Sequence, residues 1–529
     1  EGVHDDLIDP KYSEPENLGL RIERTMQILT EWVAGKEVEA LFLEGQARHS
    51  PYGQVLPIEK VADNPQLAAR DWFAAYAVGE REVQGPGAPY HFSATPWEMR
   101  SSTSVVLADA AWESPATPPI APLDPPAARP LEGLKVLDFS HVLAGPFATR
   151  VLADMGADVI KINSASRAEG ANEPAHPYYL MWNRNKRALA LDLTQTDGRD
   201  VCRALCEQAD VVIDNFSVGV LDRLGVGYEA VNETNPKVIY VQMSGMGDGG
   251  PWSDFVTYAP TIHALAGLTH MTGVGERQDI GIGFSYNDHQ AGLHGALAIL
   301  AALYHRRGSG RGQRVDISQF EVGVNFAGPA LLDFFANGVA ARPVGNQLPF
   351  DQACPHNVYR CAPAGEVPIE AQRWLAIACM NDAQWRSLAA VLETGWAADD
   401  ELADVAGRLA RREDIDAELA AWCADQDAYA AMARLQAAGV PAGVVQDGVD
   451  LAERDPQLDG ARFLRKLDDI HERLGQSYVD TLPIDFARQP CEDYVRSKDL
   501  GEDSAAVLAD WLGYGQDEID ALAAKGLLS

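Results

Sequence analysis

The sequence predicts an α/β fold: a parallel sheet covered on both faces, with a second and smaller domain attached. Three observations carry this. Short runs rich in Val, Ile and Leu recur between residues 134 and 243. Helical segments such as 198–208 separate them, and parallel strands need crossovers of that kind, which then cover the sheet. Beyond Phe320 the strand runs thin out and helical patterns dominate, with Gly345-Asn346 marking a turn into the smaller unit.

The elements follow in order. Residues 134–139 form a short buried strand, and Gly145-Pro146 opens a helix running through Ala153, since proline is tolerated in a first helical turn. Residues 157–162, 188–193, 211–214 and 238–243 supply the next strands. The large domain is therefore expected over 131–342, the small domain over 343–488, and helices returning to the sheet over 489–529. Residues 112–130 are dense in Pro and Ala, with Pro115, Pro118, Pro119, Pro122, Pro125, Pro126 and Pro130, and predict a semi-rigid linker.

Residues 1–111 repeat part of the C-terminal half. Trp32, Gln46, Pro51 and Gly53 recur in the same spacing as Trp422, Gln436, Pro441 and Gly443. Asn64-Pro65-Gln66-Leu67 answers Asp455-Pro456-Gln457-Leu458, and Phe73 answers the neighbourhood of Phe463. The period is far too long for a solenoid. It predicts a tandem duplication whose first copy is present only as its tail. With Glu1 in place of an initiator Met, a fragment of a longer tandem polypeptide is expected.

Composition narrows the function classes. The chain has 529 residues, 47% hydrophobic and 23% charged, ordinary values for a globular protein. No apolar run approaches the ~20 residues that span a bilayer. No basic-then-apolar leader opens the sequence, so a cytoplasmic protein is expected. The net charge of −34 argues against nucleic acid or anionic membrane as partner. It serves solubility, or fits a salty habitat. The seven cysteines are scattered. Cys202 and Cys206 lie one helical turn apart with no matching ligand pair, so no metal site is expected.

The chemistry concentrates in residues 281–303. The second half of this stretch is apolar almost all round and rich in small residues, which suits a helix buried on every side. Asn287-Asp288 stands just ahead of it. Asp288 serves either as an N-cap or as a reactive carboxylate at the mouth of a buried helix, behind glycines that admit other backbone closely. The first βα turn, 140–146, lacks the Gly-x-Gly-x-x-Gly spacing of dinucleotide enzymes, so a nicotinamide dehydrogenase is poorly supported.

Residues 281–318, with the basic, glycine-rich turn after Tyr304, resemble the family III CoA-transferases, the group of formyl-CoA and carnitine CoA-transferases. The match continues through 138–149, through Trp182-Asn-Arg-Asn-Lys-Arg187, and through Asp214-Asn-Phe-Ser217, Leu221-Asp-Arg-Leu-Gly225 and Ser244-Gly-Met-Gly-Asp-Gly-Gly-Pro251. The resemblance implies a Rossmann-like large domain with a smaller α+β domain. It implies an open-ring protomer that interlocks as a homodimer, or as a pseudo-dimer with the missing half of the first copy. Asp288, four residues before Gly292, takes the position of the family nucleophile.

By the same resemblance His141, Val142, Leu143 and Ala144 contact CoA, Asn215 and Phe216 hold its pantetheine and adenine side, and Tyr258 is the residue of the transferase branch. Lys161, Arg184, Arg187 and Arg223 are candidate phosphate cations, since a guanidinium pairs with phosphate in two places. Gly245, Gly247, Gly249 and Gly250 are candidates for an oxyanion environment near the thioester. Asn163 stands where the family often has Glu, and Leu143 where some transferases have Gln. The implied reaction moves CoA from an acyl-CoA to a small carboxylic acid through aspartyl anhydride and aspartyl-CoA intermediates. CoA is then a substrate, and no tightly bound cofactor is expected.

Two alternatives stand on the same fold. An acyl-CoA racemase would pair Asp288 with His263 or His289, each of which equally suits a structural hydrogen bond. A transferase/lyase of the dimethylsulfoniopropionate type shares the tandem layout.

Overall fold

A computed structural model describes residues 5–99, 129–274, 277–363, 365–467, 475, 478–487, 489 and 491–528. Residues 112–128 of the expected linker lie outside the described residues.

The large domain is built on seven strands: β1 (Tyr90–Phe92), β2 (Lys135–Asp138), β3 (Asp158–Asn163), β4 (Arg187–Ala190), β5 (Val211–Asp214), β6 (Ile239–Ser244) and β7 (Gln313–Ser318). They lie in the order β1-β7-β6-β5-β2-β3-β4. Strands β2 to β7 are parallel, and β1 closes one edge antiparallel, Phe92 opposite Val315. The six parallel strands have the doubly wound order, whose direction of winding reverses between β2 and β5.

Successive residues of each strand feed opposite faces. Leu137, Ile160, Val212 and Tyr240 pack on the C-terminal helices Ser504–Leu512 and Gln516–Ala524 through Leu508, Trp511 and Ile519. Val136, Val159, Val211 and Val241 pack on α1 (Ala144–Asp154) and α2 (Tyr286–Ser309). The small domain has a three-stranded antiparallel sheet, His356–Cys361, Arg373–Ala378 and Ala442–Val444, around Leu375, Trp385 and Leu419.

The N-terminal residues are no separate body. Beyond supplying β1, they place Phe42, Ile58, Val61, Leu67 and Trp72 in one core with Met246, Trp252, Leu265, Phe320 and Leu331 of the large domain. The unit 38–85 and the C-terminal segment 428–480 share their local bonding. Gln46 Nε2 donates to Tyr52 O at 2.6 Å, and Gln436 Nε2 to Ala442 O at 2.8 Å. Asn64 caps the amides of Gln66 and Leu67, as Asp455 caps those of Gln457 and Leu458. Trp72 N donates to Leu67 O at 3.0 Å, and Phe463 N to Leu458 O at 2.9 Å. Asp71 and Arg462 both take positive φ, 50° and 51°.

Candidate active site

Helix α2 begins at Tyr286 after the N-cap Ser285, so Asp288 lies inside the first turn and is not the cap. Nor is the helix buried on every side, as its composition suggested. Leu293, Leu297 and Tyr304 are 45%, 55% and 64% exposed along one stripe. The opposite stripe is the close one. A methyl group on Gly292 would meet Ala144 O at 2.7 Å and Phe147, and one on Gly295 would meet Met243 and Ala148. These glycines let α2 lie directly on the start of α1. Asp288 lies one turn before Gly292 on the same face of α2. Burial raises its carboxyl to about 7.

That turn is pinned from several sides. Ser140 N donates to Asp138 Oδ1 at 2.9 Å, and Lys161 Nζ donates to Ser140 O. Asn215 grips His141 at both main-chain atoms, accepting from its N at 2.7 Å and donating to its O at 2.8 Å. Val142 N donates to Asn172 Oδ1 at 2.8 Å. Beneath it, buried Asp138 also receives Thr149 Oγ1 at 2.6 Å and Lys186 Nζ at 2.9 Å. Burial would raise the Asp138 carboxyl, but Lys161 and Lys186 outweigh it and hold it low. The same burial lowers Lys186 to about 7.

A crevice opens at the C-terminal ends of β2 to β5, where doubly wound sheets bind ligands. Its lining includes His141, Asn163, Arg167, Leu193 and Phe216. The His141 ring meets Phe216 edge-on at 5.0 Å, and the Arg167 guanidinium lies 5.2 Å from the same ring. Burial, with Lys161 and Arg167 nearby, drops His141 to about 3, so its imidazole is neutral.

The four candidate cations do not converge here. Lys161 is held by Asp138 and Ser140, Arg184 by Asp154 and Asp480 at 2.7 Å each, and Arg187 by Asp158 and Asp510. Three are thus engaged inside the protein, and only Arg223 stands exposed. Arg167, unremarked in the sequence, is the cation that lines the crevice. Tyr258 is 58% exposed at the start of the helix Ala259–Leu265.

The glycine loop also has another use. Gln66 Nε2 donates to Met246 O at 3.0 Å and Gly249 O at 2.8 Å, and its Oε1 accepts from Trp252 N at 2.7 Å. Arg70 pairs with Glu321 at 2.5 Å and Asp316 at 2.9 Å and donates to Asp248 O. A side chain at Gly247 would strike Arg70, and one at Gly250 would strike Gln66. Gly245 faces Thr257 and accepts from Phe320 N through its carbonyl at 2.8 Å. Gly245, Gly247 and Gly250 therefore make room for packing.

Both histidines near Asp288 have structural partners. His263 Nε2 accepts from Asn287 N at 3.1 Å. His289 Nδ1 bonds Ser285 O at 2.7 Å, while its ring stacks on Phe284 at 4.8 Å and meets Trp182 and Phe147 edge-on.

A sequence profile described as CoA-transferase family III matches residues 4–103 and 131–504, and the chain belongs to that family. A probable CoA-transferase of Mycobacterium tuberculosis is 30% identical over 98% of this chain, which spans 66% of that relative's length. A formyl-CoA:oxalate CoA-transferase of Rhodopseudomonas palustris is 32% identical over 74% of the chain and 95% of its own. A succinate–glutarate CoA-transferase of Agrobacterium fabrum is 32% identical over 72% and 95%. The crystal structure of a CaiB/BaiF family protein from Brucella suis superposes with a TM-score of 0.64 at 30% identity, covering 72% of this chain and 99% of that one.

Proposed function

We propose that this chain transfers CoA from an acyl-CoA to a carboxylic acid, with Asp288 as nucleophile. The observation that supports this most is the place of Asp288 in the first turn of α2, one turn before the Gly292 that packs on Ala144, in a chain of this family; burial there raises its carboxyl to about 7. Ionised Asp288 attacks the thioester carbonyl, the C–S bond breaks, and CoA leaves as thiolate with a mixed anhydride behind. The thiolate then attacks the Asp288 carbonyl carbon and expels the donor carboxylate, giving an aspartyl-CoA thioester. The acceptor carboxylate attacks that thioester, forming a second anhydride and freeing CoA thiolate. Attack on the acceptor carbonyl delivers acyl-CoA and restores the Asp288 carboxylate. No net proton or water is consumed.

In this reading the 141–144 turn lies along the pantetheine and thioester. His141, Asn215 and Phe216 form the adenine side, with Arg167 and Arg223 toward the phosphates. Intact-protein mass spectrometry after incubation with acyl-CoAs, followed by hydroxylamine trapping, tests it. A mass change mapping to Asp288, lost in Asp288→Ala, is expected; full transfer activity in Asp288→Ala would end the assignment. Because the nucleophile is the ionised form, kcat/KM should fall about tenfold per pH unit below about 7. A profile flat from pH 5 to 8 would contradict that role.

We also propose that residues 38–85 and 428–480 are two copies of one unit, as their shared bonds support. The first is seated on this chain's large domain. A pseudo-dimer would seat the second on another large domain.

A further inference from the structure

We propose that Asn172 is a positioning residue, acting with Asn215 to hold the 141–144 turn in a strained shape that sets where the acyl-CoA lies relative to Asp288. This rests on the CoA-transfer reading. Seven non-glycine residues among those described have positive φ, and Val142, at 64°, is the one with a β-branched side chain. Such a conformation is sterically costly for valine, and it persists only where the surroundings over-determine it. Here they do. Asn215 fixes the residue before Val142 by two bonds, and Asn172 takes the amide of Val142 itself.

The two asparagines differ in what they join. Asn215 directly follows β5, at the point where the winding of the sheet reverses, and so ties the turn to the rigid core. Asn172 ends a short 3-10 turn, Gly170–Asn172, in the loop beyond β3. It therefore couples that loop to the 141–144 turn. The latter ends on Ala144, whose carbonyl is the atom against which Gly292 of α2 closes. A turn relaxed out of the left-handed region would shift Leu143 and Ala144 against the helix that carries Asp288. The strain at Val142 thus makes the turn depend on its clamps.

The test is a two-by-two stability cycle joined to a binding measurement on the full chain. Val142→Gly, which tolerates positive φ, should raise Tm by about 1–3 °C. Asn172→Ala should lower Tm in both backgrounds, but by less than half as much in the parent chain, where relaxation of Val142 out of the left-handed region recovers its strain, as in the Val142→Gly background, which has no strain to release. Acetyl-CoA, used as probe in titration calorimetry, should bind Asn172→Ala about 10-fold more weakly, roughly the loss of one well-placed hydrogen bond. Asn172→Asp keeps an acceptor for Val142 N and should restore binding. Equal Tm losses in both backgrounds would overturn the strained clamp. Unchanged acetyl-CoA affinity in Asn172→Ala, with the parent chain binding well, would overturn the positioning role. A parent chain that binds no acetyl-CoA would remove the transfer reading and the positioning role together, while the Tm cycle would still decide the clamp.

Discussion

Two regions of this molecule carry nearly the same local structure and meet opposite fates. Residues 42–72 are sunk into the large domain: Ile58, Val61 and Leu67 have no exposed surface, and Gln66 and Arg70 are buried among backbone carbonyls and carboxylates. Residues 436–463 lie more open: Leu458, the counterpart of Leu67, is only half-buried, Gln457, the counterpart of Gln66, is on the surface, and Val449 and Leu451 nearby are 52% and 41% exposed. Gln46 shows the difference in one side chain. Beyond its bond to Tyr52 it grips Val256, accepting from N at 2.9 Å and donating to O at 3.0 Å. Gln436 keeps the local bond and lines an open cavity of about 620 Å³ instead. Caps and turns are thus written within each unit, whereas burial is decided by the surface that receives it.

This contrast can be broken at several points. The largest effect is expected from Arg70→Ala, which leaves Glu321 and Asp316 buried without their cation and should cost about 3–5 kcal/mol in denaturant unfolding. The matched position in the second unit is exposed Ala461, and Ala461→Arg should change stability by less than about 0.5 kcal/mol. Gln66→Ala, which orphans the Trp252 amide and two carbonyls, should cost about 1–3 kcal/mol. Gln457→Ala should be nearly silent in the same unfolding experiment. The two caps should be matched in effect: Asn64→Ala and Asp455→Ala each remove a cap worth about 1 kcal/mol. A silent Arg70→Ala, or unequal caps, would mean that the units differ in more than their docking.

Much of this was legible in the sequence, for identifiable reasons. The parallel strands are short, continuous apolar runs because both their faces are covered. The family was legible because the stretch that carries the resemblance, from Gly281 to Ser318, is one unbroken run of sequence. Two readings went astray, and a third was incomplete, where the answer lay across the fold. Small apolar residues all round α2 do not say which stripe finds a partner, and Leu293 and Leu297 found none within the described residues. Lys161, Arg184 and Arg187 carry the charge a phosphate needs, but Asp138, Asp154, Asp480 and Asp158 take it first. The glycines at 247 and 250 were read for what their amides could bind, when their missing side chains admit Arg70 and Gln66. Asn172 was missed because its bond to Val142 follows no periodicity.

The closing of the sheet by β1 sets a schedule for synthesis. Arg70 and Glu321 are 251 residues apart, so the surface that receives the first unit leaves the ribosome long after the unit does. At about 5–20 residues/s the delay is roughly 10–50 s. Through that interval Phe42, Leu67 and Trp72 lack Phe320 and Leu331, with which they share a core in the folded chain.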